Sequence, residues 1–349
     1  MKSKFVSFYK KISVWGSMFF LTGLFPMISM SQNISVFKEK MKETSQKGYK
    51  CENISIFDSD TKSKKCISFF ELICGAIAAE MPALFPSEAL KAQGVAIITY
   101  FLRANGLNSL ISLNNVSDSN GRSFIRHFCY KSKNQRKKMW GRNFNKYEKK
   151  IQNAVEAICS KTCQALFYKD KIAFTPFFSW CYKKTVPCSW GFLEDLPYLV
   201  SVDSPEYKYL DCEKYTIKMS KNEVKKILLS SFPSKKKLID KIDCKKWFKI
   251  KKEHVTDYGY VKKIDVLGTV IKGSKLESIL KLRSANFNIK YDEKDEKFEF
   301  TTLGNGHGVG MSQHGARVLA KKGKDYKYIL NYYYPGTELV DLNESSLKK

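Results

Sequence analysis

Glu80 is the first residue in this chain whose surroundings point to chemistry. It is the one carboxylate in the apolar run Ala76-Ile-Ala-Ala-Glu-Met-Pro-Ala-Leu-Phe-Pro86, where Pro82 forces the chain to turn. Burial among apolar neighbours penalises a charged carboxylate. Such a group keeps its proton toward neutral pH and can donate it, for instance to the leaving oxygen of a glycosidic bond. The plain alternative is a solvated glutamate at a helix end. A second candidate is Gly304-Asn-Gly-His-Gly-Val-Gly-Met-Ser-Gln-His-Gly315. Its glycines follow G-x-G-x-G, not the dinucleotide spacing, and too few residues follow for a mononucleotide-binding half. Alternating glycines let backbone amides approach a ligand closely, which makes His307, Gln313 and His314 candidate polar groups at a cleft. Loop histidines satisfied by their own neighbours are the alternative. His307 and His314 could share a zinc ion, but there is no His-Glu-x-x-His and no evident third ligand.

The elements that must position these groups read as a mixed α+β chain. Phe69 to Ala79 is apolar enough for a buried helix, halted by Pro82 and Pro86. A second helix starts at Ser87, with Leu90, Gly94, Ile97 and Phe101 on one face, and ends at Asn105-Gly106. Residues 107–135 read as loop, and a helix is expected over about 144–158. A strand hairpin is expected around Lys169-Asp-Lys171. Strands are expected near Tyr260–Val266, Phe287–Tyr291 and Phe298–Thr302, with a closing helix from about Met311 to Lys322. The Lys-rich stretch 219–252 reads as a helical or loop-rich insertion. Because helices and strands alternate irregularly, α+β is the expected class.

Lys2, Lys4, Lys10 and Lys11 precede Ile12–Phe37, which carries no charge. A basic flank before such a run reads as a signal peptide or single membrane anchor, with the rest exported. The expected layout is an anchor over 1–34, a polar stalk over 35–67, one mixed exported domain over 68–340, and a tail over 341–349. The net charge is +27, from 61 Lys+Arg against 34 Asp+Glu. That fits either a polyanionic partner or an A/T-rich genome that spells surface positions with lysine. Lysine dominates the excess, which argues against a base-reading nucleic-acid surface, as does export. The ten cysteines include no Cys-x-x-Cys, and spacing fixes no pairing.

Several blocks then fall into a recognisable order. Ala79-Glu-Met-Pro-Ala-Leu-Phe-Pro-Ser-Glu-Ala-Leu-Lys-Ala-Gln-Gly-Val-Ala96 is followed by Asp195-Leu-Pro-Tyr-Leu199 and Ser201-Val-Asp-Ser-Pro205. Leu282-Arg-Ser-Ala-Asn-Phe287, Gly306-His-Gly-Val-Gly-Met-Ser-Gln313 and Tyr332-Tyr-Tyr-Pro-Gly-Thr-Glu-Leu339 complete the set. Together they resemble the stage II sporulation protein D family of lytic transglycosylases, over roughly Phe69 to Leu339. The resemblance implies that Glu80 protonates the oxygen between N-acetylmuramic acid and N-acetylglucosamine. It would then act as base on the sugar's own 6-hydroxyl, closing an anhydro ring. Internal attack of this kind needs one carboxylate, whereas hydrolysis normally uses two.

The same resemblance places Ser179, Lys184, Thr185, Arg283, His307 and Gln313 among the substrate-binding residues. It implies no required cofactor. It also implies peptidoglycan glycan strands as substrate, with a partner amidase (stage II sporulation protein P) and a membrane scaffold. The setting would be a single-pass protein whose domain faces the septal intermembrane space. Some members hold zinc through one histidine and two cysteines. Here that region reads Arg126-His-Phe-Cys-Tyr-Lys131, so His127 and Cys129 are the residues left to a metal, in a broken register. Other departures are Ile98 in place of an arginine, His314 in place of a tyrosine, and Phe178-Ser-Trp-Cys-Tyr-Lys-Lys-Thr185 without the usual histidine and glycine pair. These departures motivate the rival expectation, a wall-binding protein that stimulates an amidase without cutting glycan itself.

Overall fold

The computed structural model describes residues 53–58, 63–105, 130–159, 162–191, 195–209 and 214–342. The expected anchor over 1–34 lies outside them, and no helix among the described residues is long and apolar enough to cross a membrane. The mixed α+β class is observed. The chain forms two compact units, one built from Phe178–Gly315 and the other from the described residues on either side of that segment.

The flanking segments make a mainly helical unit. It begins with an antiparallel hairpin, β1 (Asn53–Asp58) and β2 (Ser63–Ser68), inside the stretch expected to be a stalk. Helix α1 (Phe69–Glu80) starts at Ser68, whose hydroxyl accepts the Glu71 amide at 3.2 Å. Leu72, Ile73, Cys74, Ala76 and Ile77 are buried nearly all round it, so α1 is a core helix. In α2 (Ser87–Asn105) the anticipated face, Leu90, Gly94, Ile97 and Phe101, is buried.

Helix α3 (Lys133–Trp140) lies partly in the stretch read as loop. Its sequence, Lys-Asn-Gln-Arg-Lys-Lys-Met-Trp, has no apolar stripe, and its start is fixed by a capping box between Ser132 and Gln135. Helix α4 (Phe144–Cys159) buries Ile151, Ala154, Val155 and Ile158. A Cβ on Gly94 of α2 would sit 2.5 Å from Ile158 Cδ1, so the two helices meet where a side chain is missing. A disulfide joins Cys159 to Cys163, tying the end of α4 to the start of β3 (Gln164–Tyr168), which pairs with β4 (Lys171–Ile172). Thr99 fixes β3 to α2: its hydroxyl donates to Val95 O at 2.8 Å and accepts the Leu166 amide at 2.9 Å.

At the centre of this unit Arg136 of α3 has no exposed surface. Its Nη atoms reach both Glu71 oxygens of α1 at 2.9 and 3.0 Å. Nε and Nη2 reach both Glu148 oxygens of α4 at 2.9 and 2.7 Å, and Nη1 also reaches Lys131 O at 2.7 Å. All five guanidinium donors are therefore used. The Tyr130 hydroxyl adds a further bond to Glu71 at 3.1 Å.

The Phe178–Gly315 unit is built mainly on two three-stranded antiparallel sheets. Strand β5 (Tyr215–Ser220) leads into α5 (Lys221–Ser231), α6 (Lys236–Ile239) and β6 (Phe248–Lys249). Antiparallel β6, β7 (Lys263–Val266) and β8 (Thr269–Lys272) form one sheet, followed by helix α7 (Gly273–Leu280). Strands β9 (Phe287–Asp292) and β10 (Lys297–Thr302), both anticipated, pair as an antiparallel hairpin, and β10 also pairs with β5. Phe298 and Phe300 of β10 are buried, with Trp247 stacked on Phe298 at 5.6 Å. The chain leaves through α8 (Gln313–Lys321). Helix α9 (Tyr326–Tyr333) and strand β11 (Glu338–Asp341) complete the helical unit, with β11 pairing antiparallel to β3.

Two stability predictions follow from charge placement. Replacing Arg136 with Met leaves two carboxylates facing each other without their cation, and should lower unfolding stability by about 3–5 kcal/mol in urea titration. A loss under about 1 kcal/mol would show that the clamp contributes little. In α7, burial pushes the Glu277 carboxyl from its ordinary value near 4.5 up to about 8. The folded state therefore binds this proton more tightly than the unfolded state. The stability it confers is complete below about 4.5 and is lost as the pH climbs through about 8. Thermal melts should match for wild type and Glu277→Gln at the acidic end, and the variant should gain between about pH 4.5 and about pH 8 and keep a constant advantage above that. A pH-independent gap would refute the assignment.

Candidate active site

Glu80 is the last residue of α1 and is half-buried. Met81 leaves the helix in extended backbone, as a residue before proline must, while its amide still bonds Ile77 O at 2.8 Å. A tight turn follows, closed by Phe85 N to Pro82 O at 2.9 Å, and α2 begins two residues later. Met81, Ala83 and Phe85 are buried, so the turn is packed and holds the glutamate in place. Arg317 of α8 lies over the Phe85 ring at 5.4 Å, and Lys150 of α4 donates to Phe85 O at 2.5 Å. The last turn of α1 contains no basic residue.

The expected substrate-binding residues all lie in the Phe178–Gly315 unit, and four of them converge on one loop. Gly306 has φ +107°, and a Cβ there would sit 2.7 Å from Phe178 Cβ. Only glycine allows both the turn and the approach. The Gly306 amide donates to Arg283 O at 2.7 Å, and the Arg283 guanidinium stacks on Tyr215 at 3.5 Å. His307 packs against Phe178 at 5.6 Å, and its Nδ1 accepts the Val309 amide at 3.1 Å. The Tyr260 hydroxyl donates to His307 O at 2.7 Å. Ser179 O accepts the His314 amide at 3.0 Å, which sets Ser179 beside the first turn of α8, where Gln313 is buried.

Lys184 and Thr185 are placed differently. Lys184 is exposed and pairs with Asp203 at 3.7 Å. Thr185 is buried, and its hydroxyl accepts the Val202 amide at 2.8 Å. Its role in the structure is to join two loops. His127 and Cys129 lie outside the described residues. Among the described residues, no group of three His, Cys, Asp or Glu side chains could hold a metal ion.

The residue that sequence reading passed over is Glu206, one position beyond the Ser201–Pro205 block. It has no exposed surface. Its Oε1 accepts the Cys181 amide at 3.3 Å, the Ser204 hydroxyl at 2.9 Å and the Ser312 hydroxyl at 2.5 Å. Its Oε2 is buried without a hydrogen-bond partner. One oxygen thus ties together the 178–185, 201–205 and 306–313 blocks. Burial pushes the carboxyl up from its ordinary range, and the three donors only partly oppose this. Ser312 in turn accepts the Gly315 amide at 3.1 Å, capping α8. The Cys181 thiol, at 2.7 Å from Ser204 Oγ, is also pushed up by burial, so it is not a poised nucleophile. Glu206→Ala should cost about 2–4 kcal/mol in chemical unfolding, because three buried donors lose their acceptor. Glu206→Gln keeps an acceptor and should cost less than half as much. Equal losses would mean that the charge of the carboxylate, not the mere presence of an acceptor, matters at this position.

Comparison with known proteins agrees with the ordered blocks. Residues 58–164 match the family model described as stage II sporulation protein (SpoIID). The stage II sporulation protein D of Bacillus subtilis is 32% identical over 302 residues, covering 85% of this chain and 82% of that protein. Its counterpart in Bacillus amyloliquefaciens is 31% identical over 297 residues, covering 84% of this chain and 79% of that protein. A protein of Bacillus subtilis named amidase enhancer is 43% identical over 58 residues, 17% of this chain and 8% of its own length. The chain belongs to the stage II sporulation protein D family.

Proposed function

We propose that this chain is a peptidoglycan lytic transglycosylase with Glu80 as its acid and base. The observation that carries the reading is the setting of Glu80, one half-buried carboxylate at the end of a core helix and on a packed turn. In the proposed reaction Glu80 donates its proton to the bridging oxygen as the bond from C1 of N-acetylmuramic acid breaks. The carboxylate so formed then takes the proton of the same sugar's 6-hydroxyl, whose oxygen bonds to C1. No water is consumed, the acid is regenerated, and one carboxyl group suffices. The reaction calls on no metal.

Arg283, His307, Gln313, Ser179 and Lys184 are proposed to bind glycan through the glycine loop and its surroundings in the Phe178–Gly315 unit. The N-terminal apolar segment would anchor the protein to the cell membrane, with this domain on the outer side of that membrane. Its partners would be an amidase that strips the peptides and a membrane scaffold. The partial likeness to an amidase enhancer favours a second reading, in which the chain stimulates such an amidase without cutting glycan.

Digestion of purified wall glycan, followed by mass spectrometry, separates the two. Anhydro-ended fragments should form with wild type and fall at least about 100-fold with Glu80→Gln, at unchanged thermal stability. If wild type yields none, with or without prior amidase treatment, cleavage is excluded. Faster peptide release by added amidase would then establish the second reading. If Glu80→Gln cuts as well as wild type, cleavage stands and the acid lies elsewhere.

A further inference from the structure

Residues 235–252 contain nine lysines, two aspartates and no arginine. That is 9 lysines in 18 residues, against 61 Lys+Arg in 349 for the whole chain. A genome-wide lysine bias would raise every surface alike, so it does not account for this concentration. The segment is also firmly folded. Ile239, Cys244 and Trp247 are buried, and Phe248 meets Phe298 and Phe300 edge-on at 5.5 and 5.9 Å. With its apolar residues turned to the sheet, the segment displays its lysines on the outside. Lys236, Lys237, Lys241, Lys246, Lys249 and Lys252 are all exposed.

Few of these charges are neutralised. Lys245 pairs with Glu293 at 2.6 Å and Lys251 with Glu253 at 3.7 Å. Asp240 is taken by Lys225, and Asp243 caps the turn at Lys245. The remaining seven of the nine lysines have no carboxylate within 4.0 Å among the described residues. Like charges held this close on a rigid scaffold repel one another, a standing cost that a bound anion would relieve.

The chemistry narrows the partner. Lysine ammoniums are point charges that attract phosphate without the planar fork that reads a base edge. The aromatic side chains that could stack on bases, Trp247 and Phe248, face inward. No large apolar side chain of 235–252 is exposed for insertion into lipid. We infer that residues 235–252 form a binding surface for a flexible, base-free phosphodiester polyanion of the poly(glycerol phosphate) type. The inference stands apart from Glu80, because it concerns binding without turnover.

The test uses the full chain in detergent micelles and immobilised poly(glycerol phosphate) at two salt concentrations. Seven contacts to a flexible polyanion predict an affinity loss of about 1000-fold between about 50 and about 200 mM salt. Substituting Lys236, Lys237, Lys241 and Lys246 together by Gln should weaken binding at least about tenfold at the lower salt, and flatten the log–log slope by roughly 2 to 3. Substituting Lys133, Lys137, Lys138 and Lys146 of the helical unit by Gln removes the same net charge and should leave both values nearly unchanged. Equal weakening by the two variants would overturn the inference in favour of bulk charge. Displacement of the polymer by phosphatidylglycerol vesicles but not phosphatidylcholine vesicles, at matched phosphate, would overturn it in favour of a lipid surface.

Discussion

Three helices of the acid-bearing unit meet on one buried cation. Taking a guanidinium out of water is costly, and the cost is offset only when every donor finds a well-placed acceptor. Arg136 meets that condition with two bidentate carboxylates and a carbonyl. The arrangement demands that α1, α3 and α4 approach at one mutual geometry, because a guanidinium is planar and both carboxylates engage it in its plane. Helix α3 has no apolar face of its own and depends on this contact for its place. Glu71 and Glu80 lie on the same rigid helix, about 13 Å apart along its axis. Fixing one end of α1 therefore fixes the direction in which the other presents its carboxylate.

The Phe178–Gly315 unit uses a carboxylate in the opposite way. Arg136 joins helices by being fully paired, whereas Glu206 joins loops through one saturated oxygen while the other goes unpaired. The two centres serve different needs. Helix packing tolerates an ionic clamp because the backbone is already satisfied within each helix. The loops around Gly306 have left-handed backbone and short bridges, and need an acceptor that several of them can share. Two of the blocks that mark the family in the sequence, 201–205 and 306–313, are brought together at Glu206, so there the shared pattern corresponds to a folded loop cluster.

Local pattern made much of this readable. Helix α1 is legible as a continuous apolar run, α2 and α4 carry their burial periodicity in the sequence, and the β9–β10 hairpin alternates as a half-buried strand pair should. Helix α3 was missed because it is polar on every side; the Ser132–Gln135 capping box was its one local signal. The β1–β2 hairpin fell within a stretch judged by its overall polarity, although Ile54 and Ile56 alternate with polar neighbours. Arg136 and Glu71 are 65 positions apart, and Glu206 and Ser312 are 106 apart. No window of sequence displays such a pairing. The placement of Glu80 was legible because its cause is local, an apolar helix stopped by a proline. The roles of Thr185 and Glu206 were not, since each is defined by partners on other loops.

Strand β11 lies beside β3, so the sheet of the helical unit is closed by residues 338–341. The same unit receives the Tyr334 hydroxyl on Pro176 O at 2.8 Å and the Tyr326 amide on Glu88 at 2.9 Å. The whole Phe178–Gly315 unit intervenes between these partners in the chain. A polypeptide that emerges N-terminus first can complete that inner unit from contiguous residues. It must leave the Glu80 unit unfinished until its final strand has passed. Formation of the surroundings of Glu80 is thereby coupled to emergence of residues 326–341, and a product truncated before them would lose the Glu80 unit before the inner one.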